Sequence, residues 1–220
     1  MQKGKLIVIE GPDGSGKTEQ WNLLATRMQK EGHKTELLDF PQYSKVSAGL
    51  INNYLRGIYG EAHAVSSYAA SLFYAVDRFD ISFRIREGIN AGVNFLANRY
   101  AASNGGHQGG KIKNHQERKI FLRWLYKTEY EILSIPKPDI NIFLDLPVKI
   151  SLKLIEKRGR MKDIHENKEH LVHAYNAYKD MIKMFPKDFL VVKCTNNGKL
   201  RLKEDIHEEI WKKVKEKLGL

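Results

Sequence analysis

Gly11–Thr18 reads GPDGSGKT, a full match to G-x-x-x-x-G-K-[ST], the pattern of a loop that wraps a polyphosphate. No other stretch constrains the fold as tightly, because such a loop works only between a strand that delivers it and a helix that leaves it. Lys5–Ile9 (KLIVI) is a short apolar run suited to a buried parallel strand. Past Lys17, the residues Trp21, Leu24, Ala25 and Met28 recur on one face of a helix that Gly32 can stop. Gly11, Gly14 and Gly16 let the backbone turn its N–H groups inward around phosphate oxygens, and Pro12, Asp13 and Ser15 complete the cradle. Lys17 then reaches the β and γ phosphates, and the Thr18 hydroxyl takes a place on Mg²⁺. Lys17 is expected to be solvated and to serve only the ligand.

Four more apolar runs follow: Thr35–Phe40, Gly92–Ala97, Asp139–Leu146 and Phe189–Cys194. Helical patterns lie between them over 45–58, 63–90, 114–134, 148–157, 167–185 and 203–217. This alternation predicts one α/β domain over 1–220, with a parallel sheet covered on both faces and ligands at the carboxyl ends of its strands. Two segments read as ligand-handling loops at strand ends. One is the glycine-rich Ser103–Lys113, the other the basic stretch Lys157–Lys162.

Lys and Arg number 37 against 26 Asp and Glu, a net charge of +11 that suits anionic partners. Much of the excess, as at Lys212, Lys213, Lys215 and Lys217, reads as the solvated face of a helix, with a nucleic-acid patch as the alternative. The single Cys194 rules out an internal disulfide framework and, at the end of an apolar run, reads as a structural thiol. The N-terminal apolar stretch is too short for a signal peptide, and no segment approaches the roughly 20 apolar residues that cross a bilayer. A soluble, cytoplasmic protein is expected.

With the loop, FPQY at Phe40–Tyr43, LFYAVDR at Leu72–Arg78, NRYAASN at Asn98–Asn104 and RGR at Arg158–Arg160, the chain resembles the thymidylate kinases over nearly its whole length. The resemblance implies transfer of the ATP γ-phosphoryl group to dTMP with Mg²⁺. It implies a homodimer of a three-layer P-loop kinase fold, with a five-stranded parallel sheet flanked by helices and a short mobile lid at about 157–166. Nucleotides are then the partners, with neither nucleic acid nor a membrane. The implied catalytic groups are Lys17, Arg99, Arg158 and Arg160; the implied acceptor site holds Asp13, Phe40, Tyr43, Tyr74, Arg78, Arg99, Asn104 and Gln108. In the family the aspartate matching Asp13 holds the acceptor 3′-hydroxyl; otherwise Asp13 shapes the turn. Arg99 can grip the acceptor phosphate bidentately, or form a surface salt bridge. Arg78 matches the arginine that reads thymine. Tyr74, one helical turn before it, is the expected stacking ring in preference to Phe73. The Phe40–Tyr43 segment lines the acceptor pocket or is a rigid strand exit. Gln108 contacts the base, or its glycine-rich surroundings are simply flexible.

The chain departs from the family at two places. Asn98 stands where an aspartate usually helps organise the water shell of Mg²⁺, which leaves metal handling to Thr18 and the phosphates. Gly14 follows Asp13 where some relatives carry a loop arginine, and Arg158 and Arg160 can supply that charge from a lid. The basic segment could instead be a helix end whose cations meet the dipole. The rival readings are a kinase for another monophosphate, a P-loop ATPase acting on nucleic acid, and a nucleotide-binding protein without catalysis. The long helix around 63–90 is the natural dimer face, because Ala69, Ala70 and Ala75 permit close packing.

Overall fold

A computed structural model describes residues 3–61, 63–157 and 168–219. Five strands, β1 (Leu6–Glu10), β2 (Thr35–Asp39), β3 (Asn94–Asn98), β4 (Ile140–Asp145) and β5 (Phe189–Lys193), form a parallel sheet in the order β2-β3-β1-β4-β5. They lie within a residue or two of the apolar runs read from sequence. The central β1 is buried at every position, Glu10 included, so its run of consecutive apolar residues serves two covered faces.

Helices α1 (Lys17–Lys30), α2 (Gly49–Leu55), α3 (Ser67–Asn90), α4 (Ala101–Gly110), α5 (His115–Tyr126), α6 (Val148–Lys157), α7 (Lys168–Met184) and α8 (Lys203–Leu218) connect and cover the strands. On one face of the sheet, Leu24 and Met28 of α1 and Trp211 and Val214 of α8 pack on Ile7, Ile9 and Ile142. On the other, Ile85 of α3 and Ala101 of α4 meet Val8, Phe95 and Ala97. A third cluster joins Phe121 of α5 and Tyr178 and Met181 of α7 to Phe143 of β4. The result is the three-layer architecture expected. α8 keeps Lys212 and Lys217 exposed and pairs Lys213 with Glu209 at 2.7 Å, which fits the solvated-face reading of its lysines. Cys194 is buried, and burial pushes its thiol up to about 12, in keeping with a structural role.

The glycine-rich segment is the main correction. Most of it is not a loop but the helix α4, buried along nearly its whole length. Glycine is a poor helix former, so local propensity argues against this. Tertiary packing decides instead: a Cβ on Gly105 would run into Met181, one on Gly106 into the Tyr178 ring, and one on Gly110 would come 2.8 Å from the Ala174 nitrogen. The glycines let α4 and α7 approach almost backbone to backbone. Gly106→Ala is therefore expected to lower stability by about 1–3 kcal/mol through overpacking, although glycine to alanine in an open helix stabilises by about 1 kcal/mol. The sign of the change in a chemical denaturation series decides the matter.

The pattern over 114–134 also resolves into two parts. α5, capped by Asn114 Oδ1 accepting from the N–H groups of Gln116 at 2.9 Å and Glu117 at 3.2 Å, runs into a π-helical turn over Lys127–Ile132. That wider turn carries Glu129, which is completely buried.

Candidate active site

β1 hands the chain to the phosphate loop, and the loop hands it to α1. Gly16 occupies the N-cap position with φ +86°, a left-handed conformation that strains any residue with a side chain, and no side chain caps the helix. The first N–H groups of α1 are thus left for an anion. Lys17 is buried, not solvated as the sequence reading has it. Its Nζ donates to the Gly11 and Pro12 carbonyls, both at 2.9 Å, and lies 3.6 Å from Asp13 Oδ1. Burial, reinforced by the nearby Arg99 charge, lowers the Lys17 ammonium to about 7, against the pull of Asp13 and Glu10. Thr18 is exposed at the mouth of the loop. The buried Ser15 Oγ has no hydrogen-bond partner among the described residues.

Glu10 fixes the second wall. Its carboxylate accepts from the N–H groups of Tyr100 at 2.8 Å and Ser103 at 3.0 Å, from Ser103 Oγ at 2.7 Å and from the Tyr178 hydroxyl at 3.0 Å. A buried carboxylate thus ties β1 to the N-terminus of α4, where the helix dipole favours negative charge. The junction is tight enough to hold Arg99, a non-glycine residue, at φ 68°. Arg99 Nη2 donates to Asp13 Oδ1, and Nη1 lies 3.2 Å from His107 Nε2. Burial pushes the Asp13 carboxyl up, but Arg99 and Lys17 outweigh it and hold the group well below the usual carboxylate range. A carboxylate beside a phosphate site is tolerable here because the Arg99 guanidinium neutralises it, joined by Lys17 when that ammonium is protonated.

A cleft opens between this wall and α3, at the carboxyl ends of β1, β2 and β3. All eight acceptor residues expected from sequence line it: Asp13 and Arg99, then Phe40, Tyr43, Tyr74, Arg78, Asn104 and Gln108. Phe73 turns away to pack 6.3 Å from Tyr54 and 5.8 Å from Tyr59, centroid to centroid, so Tyr74 is the ring that faces the cleft. Arg78 is buried and paired bidentately with Glu129, Nε to Oε2 at 2.7 Å and Nη2 to Oε1 at 2.5 Å. Burial alone would lower the guanidinium, but Glu129 more than reverses it. Asn104 Nδ2 donates to the Ser71 carbonyl at 3.1 Å and to Glu129 Oε1 at 3.3 Å. Three buried polar atoms of the lining have no hydrogen-bond partner among the described residues: Tyr100 Oη, Asn104 Oδ1 and Gln108 Oε1. Buried polar atoms left so are costly, and in a cleft they mark where a ligand's own donors and acceptors fit.

The sequence reading missed Glu10, Glu129, Tyr100, Ser103 and His107. Glu10 left one trace, a charge ending an otherwise apolar strand. Glu129 left none, since its partner Arg78 is 51 residues away in a different helix. Asp145, which ends β4, accepts from the Tyr175 hydroxyl at 2.7 Å and sits 3.5 Å from Lys179, a strand-end role. Arg158 and Arg160 lie outside the described residues.

A parallel sheet of this order, a phosphate loop leaving its central strand and a polar cleft beside that loop define a P-loop phosphotransferase. The sequence profile described as thymidylate kinase matches residues 9–210, and the chain belongs to that family. It is 31% identical over 220 residues to a probable thymidylate kinase of Pyrococcus horikoshii, covering 99% of this chain and all of that one. It is 27% identical over 210 residues to the human thymidylate kinase, covering 95% and 89% of the two chains. The solved structure of the Candida albicans thymidylate kinase superposes with a TM-score of 0.76 over 97% of this chain and 92% of that one, at 23% identity. The chain is a nucleotide kinase.

Proposed function

We propose that this chain transfers the γ-phosphoryl group of ATP to dTMP, giving ADP and dTDP. One observation carries the choice of acceptor. The guanidinium of Arg78, pinned through Nε and Nη2 by Glu129, lines the same cleft as Asn104 Oδ1 and Gln108 Oε1, acceptors without a partner among the described residues. Thymine presents carbonyl oxygens beside an N3–H donor, a pattern these groups complement, and the Tyr74 ring offers a stacking face. Arg99, bound to Asp13 at the loop end of the cleft, suits the acceptor phosphate, and a sugar hydroxyl suits Asp13. A panel of nucleoside monophosphates tests this. With ATP and Mg²⁺, dTMP is expected to give the highest kcat/KM, and a purine monophosphate preferred over dTMP would overturn the assignment.

In the transfer, the bond from the γ-phosphorus to the β,γ-bridging oxygen breaks as a phosphate oxygen of dTMP attacks in line. Lys17 and the first N–H groups of α1 hold the donor phosphates, while Arg99 orients the acceptor phosphate oxygen. The residues also fit Mg²⁺: the Thr18 hydroxyl is exposed beside the loop, and Asn98 Oδ1 is buried at the end of β3 with no partner among the described residues. When bound, the cation would neutralise charge on the β and γ oxygens.

Arg158 and Arg160 supply, in this reading, the cation that Gly14 does not. Made singly, Arg158→Ala or Arg160→Ala is expected to lower kcat about 10²-fold or more with a smaller change in dTMP affinity, because the contact forms mainly in the transition state. Two fully active variants would leave Lys17 and Arg99 to carry the charge.

A homodimer through α3 completes the proposal, with a different set of residues from that expected. Ala70 and Ala75 are buried in the chain's own core. Leu72, Val76, Phe79 and Phe83 instead form an exposed apolar stripe at spacings of four, three and four along the helix. Sedimentation is expected to give twice the chain mass, and Phe79→Lys with Phe83→Lys together should give the monomer. No helix among the described residues is long and apolar enough to cross a membrane. The one thiol, buried, suits a reducing cytoplasm.

A further inference from the structure

Asn98 and Asp39 end adjacent strands in direct register, and the Asn98 amide Nδ2 donates to Asp39 Oδ1 at 2.9 Å. Asn98 is buried, 7% exposed, and its Oδ1 has no hydrogen-bond partner among the described residues. Asp39 is exposed, so its carboxylate keeps lone pairs for water or a cation. On the other side Asn98 pairs with Ile9 of β1, whose carbonyl accepts from the Arg99 N–H at 3.0 Å, and β1 runs directly into the phosphate loop. The pair therefore stands at the carboxyl end of the sheet, Asn98 next to the strand that enters the loop and Asp39 one strand further out, at the edge where an α/β fold binds its ligands.

We infer that Asp39 supplies the carboxylate for the water shell of Mg²⁺ that Asn98 cannot, with Asn98 as its positioning residue. This rests on the kinase reading above. An amide at position 98 offers only a neutral acceptor, Oδ1, while its Nδ2 can do nothing but donate. By donating to Asp39 it holds the neighbouring carboxylate at the strand end, and its Oδ1, without a partner among the described residues, offers a second oxygen for a bound water. The charge is moved one strand outward and not lost. Outer-shell oxygens suit Mg²⁺, which dehydrates reluctantly and keeps several of its waters. Asn98→Asp alone would set two carboxylates in hydrogen-bond contact, so the pair is built for one negative charge.

Mn²⁺, which takes the same oxygen ligands, provides a readout independent of turnover. Electron paramagnetic resonance measures free Mn²⁺ in titrations of the protein saturated with β,γ-imido-ATP. Asp39→Asn keeps the shape of the pair and removes only the charge, and it is expected to weaken Mn²⁺ binding about 10-fold. The exchanged protein, Asp39→Asn with Asn98→Asp, restores one carboxylate and one amide and should recover most of that loss. Equal Mn²⁺ affinity in wild type and Asp39→Asn, or an exchanged protein no tighter than Asp39→Asn, would overturn the inference. Binding of the imido-ATP in the presence of EDTA is measured alongside and should be unchanged by Asp39→Asn. Its failure in the wild-type protein would instead refute the kinase reading.

Discussion

Replacing Lys17 by alanine is expected to lower phosphoryl transfer by about 10³-fold or more, with no loss of stability in the unliganded protein. The rate effect follows from removing a fixed cation from developing phosphate charge, worth several kcal/mol in a preorganised site. The stability effect follows from where Lys17 sits. Burial lowers its ammonium to about 7, so the folded protein sheds a proton that the unfolded chain keeps up to its ordinary value of 10.5. Stability is therefore expected to rise with pH between about 7 and 10.5 on account of this group, because the unfolded state binds more protons there. Alanine removes that slope. Nucleotide phosphates restore the charge, so ATP binding at pH 8.5 should take up a proton, read by calorimetry in two buffers of different ionisation enthalpy. Near-normal turnover in Lys17→Ala, or no proton uptake in the wild type, would contradict this account of the loop.

Glu129→Ala is expected to destabilise the fold by about 3–5 kcal/mol and to abolish useful binding of dTMP. Among the described residues Arg78 has Glu129 as its bidentate partner, and both are essentially inaccessible to water, at 3% and 0% side-chain exposure. Removing one member of a buried pair strands the other charge, which costs more than the pair itself is worth. The double variant Arg78→Ala with Glu129→Ala should therefore be more stable than Glu129→Ala alone, while remaining as poor with dTMP. Additive losses in a double-mutant cycle would mean that the two side chains act independently, contrary to their geometry. KM for ATP should change little in either variant, since Arg78 lines the acceptor cleft and Glu129 acts through it.

The sequence made the sheet legible because buried parallel strands announce themselves as short, nearly continuous apolar runs. The phosphate loop was legible because its chemistry needs particular residues at fixed spacing. Seven of the eight cleft residues came from short motifs, Gln108 from the glycine-rich stretch beyond them, and motifs carry over when each is a local segment at a strand end or on one helix face. What local pattern could not supply were relations across the chain. Gly105, Gly106 and Gly110 read as part of a ligand-handling loop because their helical packing depends on Met181, Tyr178 and Ala174, over sixty residues away. Glu129 was invisible for the same reason. Lys17 was read as solvated because nothing in GPDGSGKT says that the Gly11 and Pro12 carbonyls fold back to receive its ammonium. Asn98 looked like a missing charge until register placed Asp39 beside it.

Transfer of label shows whether this cleft and loop together pass a phosphoryl group between two nucleotides. ATP labelled at the γ-phosphate is incubated with the protein, Mg²⁺ and dTMP, and the products are separated at short times. The label is expected to leave ATP and appear in the β-phosphate of dTDP, mole for mole with ADP, and omitting dTMP is expected to suppress ADP formation. Label released as inorganic phosphate at the same rate with or without dTMP would contradict it and make the protein an ATPase.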